Sequence, residues 1–295
     1  METIHLNFSP ESLTILNICI GFVMFGVALD LSVGDFRRLL DNPKASIAGV
    51  LSQFVALPAL TFLIVLLWKP ETSMALGMIL VAACPGGNVS NFICHFAKGN
   101  AALSVTLTAI STVLAIVLTP LNFGFWSSLL PGIDGEQQIA ISAWEMFQSI
   151  LVIILIPLVL GMGFNHFFPR FTAKLRKPIS ILSMIIFLGF IVMAFVKNAD
   201  VFVEYFEVVM ILVLVHNALA LATGYSIATL FALAPRERRT IALETGIQNS
   251  GLGLVLIFTF FGGSGGMALI AAWWGIWHII SGFIMALLWR RQHTS

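Results

Sequence analysis

Charged residues are scarce in this chain of 295 residues: they make up 10% of it, against 59% for hydrophobic residues. A soluble domain carries about a quarter charged residues, so the composition excludes that class and indicates a membrane protein. Only three cysteines occur, Cys19, Cys84 and Cys94, all in or beside apolar segments, which excludes a disulfide framework. The net charge of +1, without a basic stripe, gives no reason to expect nucleic-acid binding.

Long apolar runs fill most of the sequence. A helix needs ~20 apolar residues to cross the hydrocarbon of a bilayer. We predict an all-α integral membrane protein with nine transmembrane helices, at residues 12–32, 45–67, 73–96, 101–121, 139–164, 178–196, 206–232, 240–261 and 267–289. Pro120, Pro131 and Pro157 are expected to mark helix ends or kinks. Residues 1–11 contain no basic residue, so we expect no cleavable signal peptide.

The basic residues predict an orientation. Of the 15 Lys and Arg residues, all but Lys69 and Lys197 fall in connections on one side of the predicted spans. The positive-inside rule assigns that side to the cytoplasm. We therefore expect a multi-pass protein of the cell's inner (plasma) membrane, with the N-terminus outside and the C-terminus in the cytoplasm.

Two predicted spans are interrupted by glycine and polar residues: residues 84–91 read CPGGNVSN and residues 244–251 read ETGIQNSG. Irregular backbone at membrane depth persists only where it faces protein or a wet cavity. Two such breaks in comparable positions of two halves indicate the ion and substrate site of a secondary transporter. The breaks lie five spans apart, so their helices cross the bilayer in opposite directions. This predicts inverted-topology repeats, with spans one to four corresponding to spans six to nine.

Glu244 is the most deeply placed carboxylate in the sequence, and an ionisable group at membrane depth is a functional candidate. Sodium is a hard cation that prefers carboxylate, hydroxyl, amide and backbone carbonyl oxygens. The polar side chains able to supply such oxygens within the spans are Gln53, Ser90, Asn91, Ser104, Thr108 and Gln248. Two alternatives stay open: Glu244 pairs with Arg238 or Arg239, and Ser104 and Thr108 bond to their own or a neighbouring helix.

Over essentially its whole length, the chain resembles the bile acid:sodium symporter family. The matching strings are Gln53-Phe54 with Pro58, both breaks, Lys98-Gly99-Asn100 followed by Leu103-Ser104, and Trp277-His278 with Ser281-Gly282. The resemblance implies a single transporter domain, residues 1–295, in which two discontinuous helices cross and a core rocks against a panel. The panel would be spans 12–32, 139–164 and 178–196. The core would be spans 45–67, 73–96, 101–121, 206–232, 240–261 and 267–289.

The resemblance also implies two sodium sites. The first uses Ser90, Asn91, Ser104, Thr108 and Glu244. The second uses Gln53, Glu244 and Gln248 with the backbone carbonyls of Thr245 and Ile247.

Substrate contacts are implied at Asn88, Asn249 and His278, near the crossing. Family members often have a small hydroxyl residue at the position of Asn88 and an asparagine at that of Ile279. These departures bear on which substrate is bound, not on the sodium ligands. For His278, packing against a neighbouring span is the open alternative.

We expect a sodium-coupled symporter that imports an organic anion with two sodium ions by alternating access. The anion is expected to be a bile-acid-like or other amphipathic carboxylate or sulfonate. A carrier of a small carboxylate such as pantoate or a keto acid is one alternative, and a passive facilitator or channel is another. No catalytic pair or metal cluster favours an enzyme. The expected partners are sodium ions, the anion and the lipid bilayer, with no cofactor beyond the coupling ions, no nucleic acid and a monomeric state.

Overall fold

The computed structural model describes residues 10–29, 31–38, 41–131, 143–197 and 199–291. Within these ranges every named element is a helix. The helices are α1 Pro10–Leu29, α2 Val33–Arg37, α3 Pro43–Leu51, α4 Leu57–Trp68, α5 Thr72–Ala83, α6 Val89–Phe96, α7 Ala101–Ser128, α8 Ala143–Ile150, α9 Ile156–Phe167, α10 Pro169–Lys197, α11 Ala199–Leu230, α12 Pro235–Gly246, α13 Ser250–Phe260 and α14 Gly265–Arg291.

The all-helical prediction is confirmed for the described residues, and the apolar runs lie in helices. Five helices are long and apolar enough to cross a membrane by length and composition: Pro43–Trp68, Ala101–Ser128, Trp144–Phe167, Val203–Leu230 and Gly265–Arg291. The nine-span count stays a prediction. Pro120 lies inside α7, which continues to Ser128, beyond the predicted end at 121. The predicted start of the fifth span, at 139, lies outside the described residues.

Two long helices each contain a π-helical turn. Ser52–Ala56 joins α3 to α4, and Leu151–Leu155 joins α8 to α9. A proline, Pro58 or Pro157, follows each turn by two residues. Proline lacks an N–H, and its ring crowds the carbonyl four residues earlier, so the helix widens before it. The first wide turn carries Gln53, and π turns frequently occur at functional sites.

The interrupted helices meet at their breaks. α5 ends at Ala83 before α6 begins at Val89, and α12 ends at Gly246 before α13 begins at Ser250. Gly86 and Gln248 form an antiparallel bridge. The Gly87 N–H donates to the Ile247 carbonyl at 2.7 Å, and the Asn249 N–H donates to the Pro85 carbonyl at 2.8 Å. Each break thus satisfies backbone groups of the other, as buried irregular backbone requires.

The remaining long helices surround this crossing. α14 packs along α5, α11 and α13, and α7 packs against α5, α6 and α12. A glycine on each of two helices permits close approach: Gly77 of α5 lies against the Met267 backbone, and Gly266 of α14 lies against Ser73. α1 packs against α9, α10 and α13. Apolar helices therefore pack against both interrupted helices.

Candidate ion and substrate site

Glu244 lies in the last turns of α12 and is 4% exposed. Its carboxylate accepts hydrogen bonds from three hydroxyls: the Ser90 Oγ at 2.5 Å, the Ser104 Oγ, and the Thr108 Oγ1 at 3.0 Å. Ser90 comes from α6, directly after the first break, whereas Ser104 and Thr108 lie one turn apart on α7. The Thr108 hydroxyl also lies 3.2 Å from the Asn91 Oδ1. The structure therefore assembles five oxygen-bearing side chains from three helices.

This arrangement bears on the alternatives that the sequence left open: Glu244 bonds to hydroxyls, and Ser104 and Thr108 bond to a neighbouring helix. Arg238 donates to the Leu233 carbonyl at 2.7 Å, and Arg239 donates to the Ala97 carbonyl at 3.4 Å, so both guanidinium groups are directed to backbone. The Ser104 and Thr108 hydroxyls reach Glu244 on another helix and not a carbonyl of α7. Neutral hydroxyls, and not an ion pair with either arginine, satisfy the buried carboxylate.

Gly86 of the first break allows the carboxylate this position. A Cβ atom built on Gly86 would lie 2.9 Å from the Glu244 Oε2 and 3.4 Å from its carbonyl oxygen. Real Cβ atoms do not approach that closely without displacing a neighbour. A side chain at 86 would therefore displace the Glu244 carboxylate from its place beside the first break.

A second group of oxygens involves Gln248 of the second break and Gln53 of the first π-helical turn. The Gln53 Nε2 donates to the Cys84 carbonyl at 2.8 Å and to the Gln248 Oε1 at 2.7 Å. The Gln248 Nε2 donates to the Thr245 carbonyl at 2.6 Å, and the Thr245 hydroxyl lies 2.8 Å from the Ser52 Oγ. The structure thus brings Gln53, Gln248 and the Thr245 carbonyl together.

Two details differ from the ligand set that the resemblance implies. The Ile247 carbonyl accepts the Gly87 N–H, so one of its lone pairs is used by the bridge between the breaks. The hydrogen bonds of Glu244 within the described residues run to the serine and threonine group, and the two glutamines bond to each other instead. Glu244 is therefore placed with the first group more closely than with the second.

Asn88 and Asn249 occupy equivalent places. Each directly precedes the second half of an interrupted helix, α6 or α13. The Asn249 Oδ1 caps the Leu252 N–H at 3.0 Å, and its Nδ2 lies 3.7 Å from the Met24 Sδ. The half-buried Asn88 side chain makes no hydrogen bond to any described residue. A helix N-terminus carries partial positive charge, so this location suits an anionic group.

His278 does not share this location at a helix start with the two asparagines. It lies in α14, is 4% exposed, and its Nδ1 has no hydrogen-bond partner in the part of the chain that the structure describes. No hydrogen bond there joins it to Asn88 or Asn249. Direct contact of His278 with a substrate stays a prediction.

Sequence reasoning did not find Asn217 and Ser281 as a pair. Asn217 of α11 donates to the Gly246 carbonyl at 2.7 Å, and Ser281 of α14 donates to Asn217 at 2.5 Å. The signals in the sequence were the polar pair His216-Asn217 inside an apolar span and Ser281 within one of the strings that carry the resemblance. The partners of Asn217 could not be read from spacing, since the break and α14 are remote in sequence.

Comparison with known proteins defines the class. Residues 17–205 match the model of the Sodium Bile acid symporter family. The matched residues make up more than half of the chain. The chain therefore belongs to the Sodium Bile acid symporter family.

Individual relatives agree with the family. The chain is 32% identical over 292 residues to the "Uncharacterized sodium-dependent transporter YocS" of Bacillus subtilis, covering 97% of this chain and 88% of the relative. It is 32% identical over 296 residues to the "Probable sodium/metabolite cotransporter BASS1, chloroplastic" of Arabidopsis thaliana, covering 99% and 70%. It is 30% identical over 240 residues to the "Sodium/bile acid cotransporter 4" of Mus musculus, covering 79% and 54%.

These similarities, with the apolar helices, establish the coarse function. The protein is a sodium-dependent transporter with a multi-pass membrane setting, and it is not an enzyme.

Proposed function

We propose that this protein is a secondary active symporter that imports an organic anion together with two sodium ions. The observation that carries the proposal is the Glu244 carboxylate held by the hydroxyls of Ser90, Ser104 and Thr108 where the two breaks meet. One carboxylate surrounded by neutral oxygens suits a monovalent hard cation.

The two oxygen groups supply the proposed sodium ligands. The first ion is bound by Ser90, Asn91, Ser104, Thr108 and Glu244. The second is bound by Gln53, Gln248 and Glu244 with the backbone carbonyls of Thr245 and Ile247. Because the Gln53 and Gln248 amides bond to each other at 2.7 Å, binding of the second ion requires their oxygens to turn toward it.

The electrostatics favour an anion as the passenger. Two sodium ions beside one carboxylate leave a net charge of about +1, which is felt strongly where water is excluded. The N-termini of α6 and α13 add partial positive charge beside Asn88 and Asn249. The anion therefore binds after the sodium ions, contacting these asparagines and His278.

The proposed architecture follows the family. Nine spans form a core containing both interrupted helices and a panel containing α1, α9 and α10, and the two rock against each other to give alternating access. The packing of α1 against α9 and α10 supports grouping those three helices. The N-terminus faces outward and the C-terminus faces the cytoplasm of the cell membrane, and the protein acts as a monomer.

The leading substrate class is an amphipathic carboxylate or sulfonate of bile-acid type. A small carboxylate is the second candidate, since the plant relative is named a sodium/metabolite cotransporter.

The experiment is uptake of a panel of labelled organic anions into membrane vesicles, with sodium or choline outside. We expect concentrative uptake of at least one anion in sodium alone. Glu244→Gln should abolish the sodium dependence, while Glu207→Gln, which changes an exposed carboxylate on α11, should not. Equal uptake in choline, or equilibration without accumulation, would reject symport in favour of a passive facilitator.

A further inference from the structure

The backbone carbonyls of Thr245, Gly246 and Ile247, where α12 meets the second break, accept hydrogen bonds from three different parts of the chain. The Thr245 carbonyl accepts from the Gln248 side chain, and the Ile247 carbonyl accepts from the Gly87 N–H of the first break. The Gly246 carbonyl, between them, accepts from the Asn217 Nδ2 of α11 at 2.7 Å. Holding the middle carbonyl limits the rotation of the peptide units on both sides of it.

Asn217 is itself held in one orientation. It is 0% exposed, and its Oδ1 accepts from the Ser281 hydroxyl of α14 at 2.5 Å. A hydroxyl donor on the amide oxygen leaves the NH₂ group facing the Gly246 carbonyl. The chain Ser281, Asn217, Gly246 therefore ties α14 and α11 to the end of α12.

The first break is held in a comparable way. The Thr119 hydroxyl of α7 donates to the Ala83 carbonyl at 2.7 Å, and the Gln53 amide donates to the Cys84 carbonyl at 2.8 Å. The two breaks differ in one respect. Gln53 is among the proposed sodium ligands, whereas Asn217 contacts only the backbone of its break through the hydrogen bonds described.

We propose that Asn217 and Ser281 are positioning residues for the second sodium ion. They hold the Gly246 peptide so that the carbonyls of Thr245 and Ile247 keep the directions needed beside Gln53 and Gln248. Sodium affinity at this break then depends on two residues that do not touch the ion. This inference rests on the proposed function, because it assumes that sodium binds at the second break.

The surroundings make the amide hard to replace. Asn217 and Ser281 line a groove of about 480 Å³ between α11 and α14, with walls formed mainly by apolar side chains such as Leu221, Trp277 and Trp289. An unsatisfied carbonyl in apolar surroundings is costly, so removing the amide should let the break shift to find another donor.

The test uses sodium alone as the ligand and the full chain purified in detergent. The midpoint of thermal unfolding is measured against sodium chloride concentration, with choline chloride holding the ionic strength constant, because an ion that binds the folded state raises that midpoint. We expect Asn217→Ala to raise the half-effective sodium concentration about fivefold or more. Ser281→Ala should raise it by a smaller factor, and Ser281→Thr, which keeps the hydroxyl, should match the wild type.

Ser226→Ala is the matched control. It removes a hydroxyl from the same groove, on the helix that carries Asn217, without touching the break. The inference would be overturned if Asn217→Ala and Ser281→Ala both unfold at a lower temperature in choline but keep the wild-type half-effective sodium concentration. If Asn217→Ala shows no cooperative thermal unfolding, the inference is tested by comparing the half-effective sodium concentrations of Ser281→Ala and Ser281→Thr. If sodium does not raise the unfolding midpoint of the wild type, the proposed sodium sites are rejected as well. If sodium raises the midpoints of the wild type and the variants with the same half-effective concentration, this inference alone is overturned.

Discussion

At the residue scale, the hydroxyls around Glu244 explain how a buried carboxylate would serve the proposed transport cycle. A serine or threonine hydroxyl both donates and accepts hydrogen bonds. Ser90, Ser104 and Thr108 donate to the carboxylate in this structure, and the same oxygens offer lone pairs to a cation once it binds. An arginine partner would hold the carboxylate permanently neutralised. Hydroxyls allow the site to be satisfied both with and without sodium.

Thr108→Ala should weaken sodium binding by about tenfold, because it removes a ligand and a donor to Glu244. The measurement is the sodium dependence of thermal unfolding. Thr112→Ala is the control, since Thr112 is also buried on α7 but bonds the Thr108 carbonyl of its own helix at 2.7 Å. If the unfolding midpoints of the two variants depend on sodium concentration in the same way, Thr108 lies outside the site.

Gly86→Ala should abolish most of the sodium response, since the added methyl group would lie 2.9 Å from the Glu244 Oε2. Gly124→Ala supplies the comparison, because a Cβ atom there meets nothing within 4 Å and alanine favours the helix. Sodium titration of both proteins checks this. A Gly86→Ala protein that responds like Gly124→Ala would show that the breaks do not need this close approach.

Sequence reasoning reached Glu244, Ser104 and Thr108 because depth in an apolar span and one-turn spacing are local signals. The sharing of one carboxylate by three hydroxyls, and the anchoring of Gly246 by Asn217, depend on contacts between helices far apart in sequence. The Gln53–Gln248 pairing is of the same kind. Only the resemblance to a family pointed to Thr245 and Ile247, since backbone carbonyls leave no trace in residue type.

At the element scale, the breaks and the π turn place side chains that regular helices would direct elsewhere. The widened turn Ser52–Ala56 aims Gln53 at the Cys84 carbonyl and Gln248. A second π turn, Leu151–Leu155, has the same proline spacing but contains none of the proposed ligands.

Pro58→Ala should therefore impair the second sodium ion. Alanine restores an N–H at 58, which favours a regular α-helix in place of the π-helical turn. Gln53 is then free to rotate away from the break. We expect the steepness of the sodium dependence of uptake to fall toward that of a single ion. Pro157→Ala relaxes the other π turn and should leave the steepness unchanged. Loss of steepness in both variants would indicate a general effect on packing.

The helix ends were less predictable than the helices themselves. Hydropathy predicts where a chain is apolar, but α7 continues to Ser128 and α10 begins at Pro169 because hydrogen bonding persists beyond the apolar core. Pro120 is accommodated inside α7. The breaks were predictable because glycine and amide residues at membrane depth are tolerated only where protein or a wet cavity satisfies the backbone.

At the scale of the whole molecule, the all-helical class followed from composition, and membership of the family followed from motifs distributed along the chain. The domain arrangement could not be derived from spacing, since which helices move together depends on packing. The packing of α1 on α9 and α10 is consistent with the grouping that the resemblance implies.

Two sodium ions with one monovalent anion would carry one net positive charge inward per cycle. The membrane potential would then contribute about 2.3 kcal/mol per 100 mV. We expect an inward current when a transported anion is added to cells or proteoliposomes in sodium, and none in choline. Sodium-dependent uptake without current would instead indicate one sodium ion per anion.

The most direct measurement is equilibrium binding of radioactive sodium to the purified protein, without any substrate. The wild type should bind two sodium ions per chain, and Glu244→Gln should lose them, while Glu207→Gln keeps both. Sodium binding by Glu244→Gln with wild-type stoichiometry and affinity would contradict the account, because the ions would then lie away from the crossing of the two breaks.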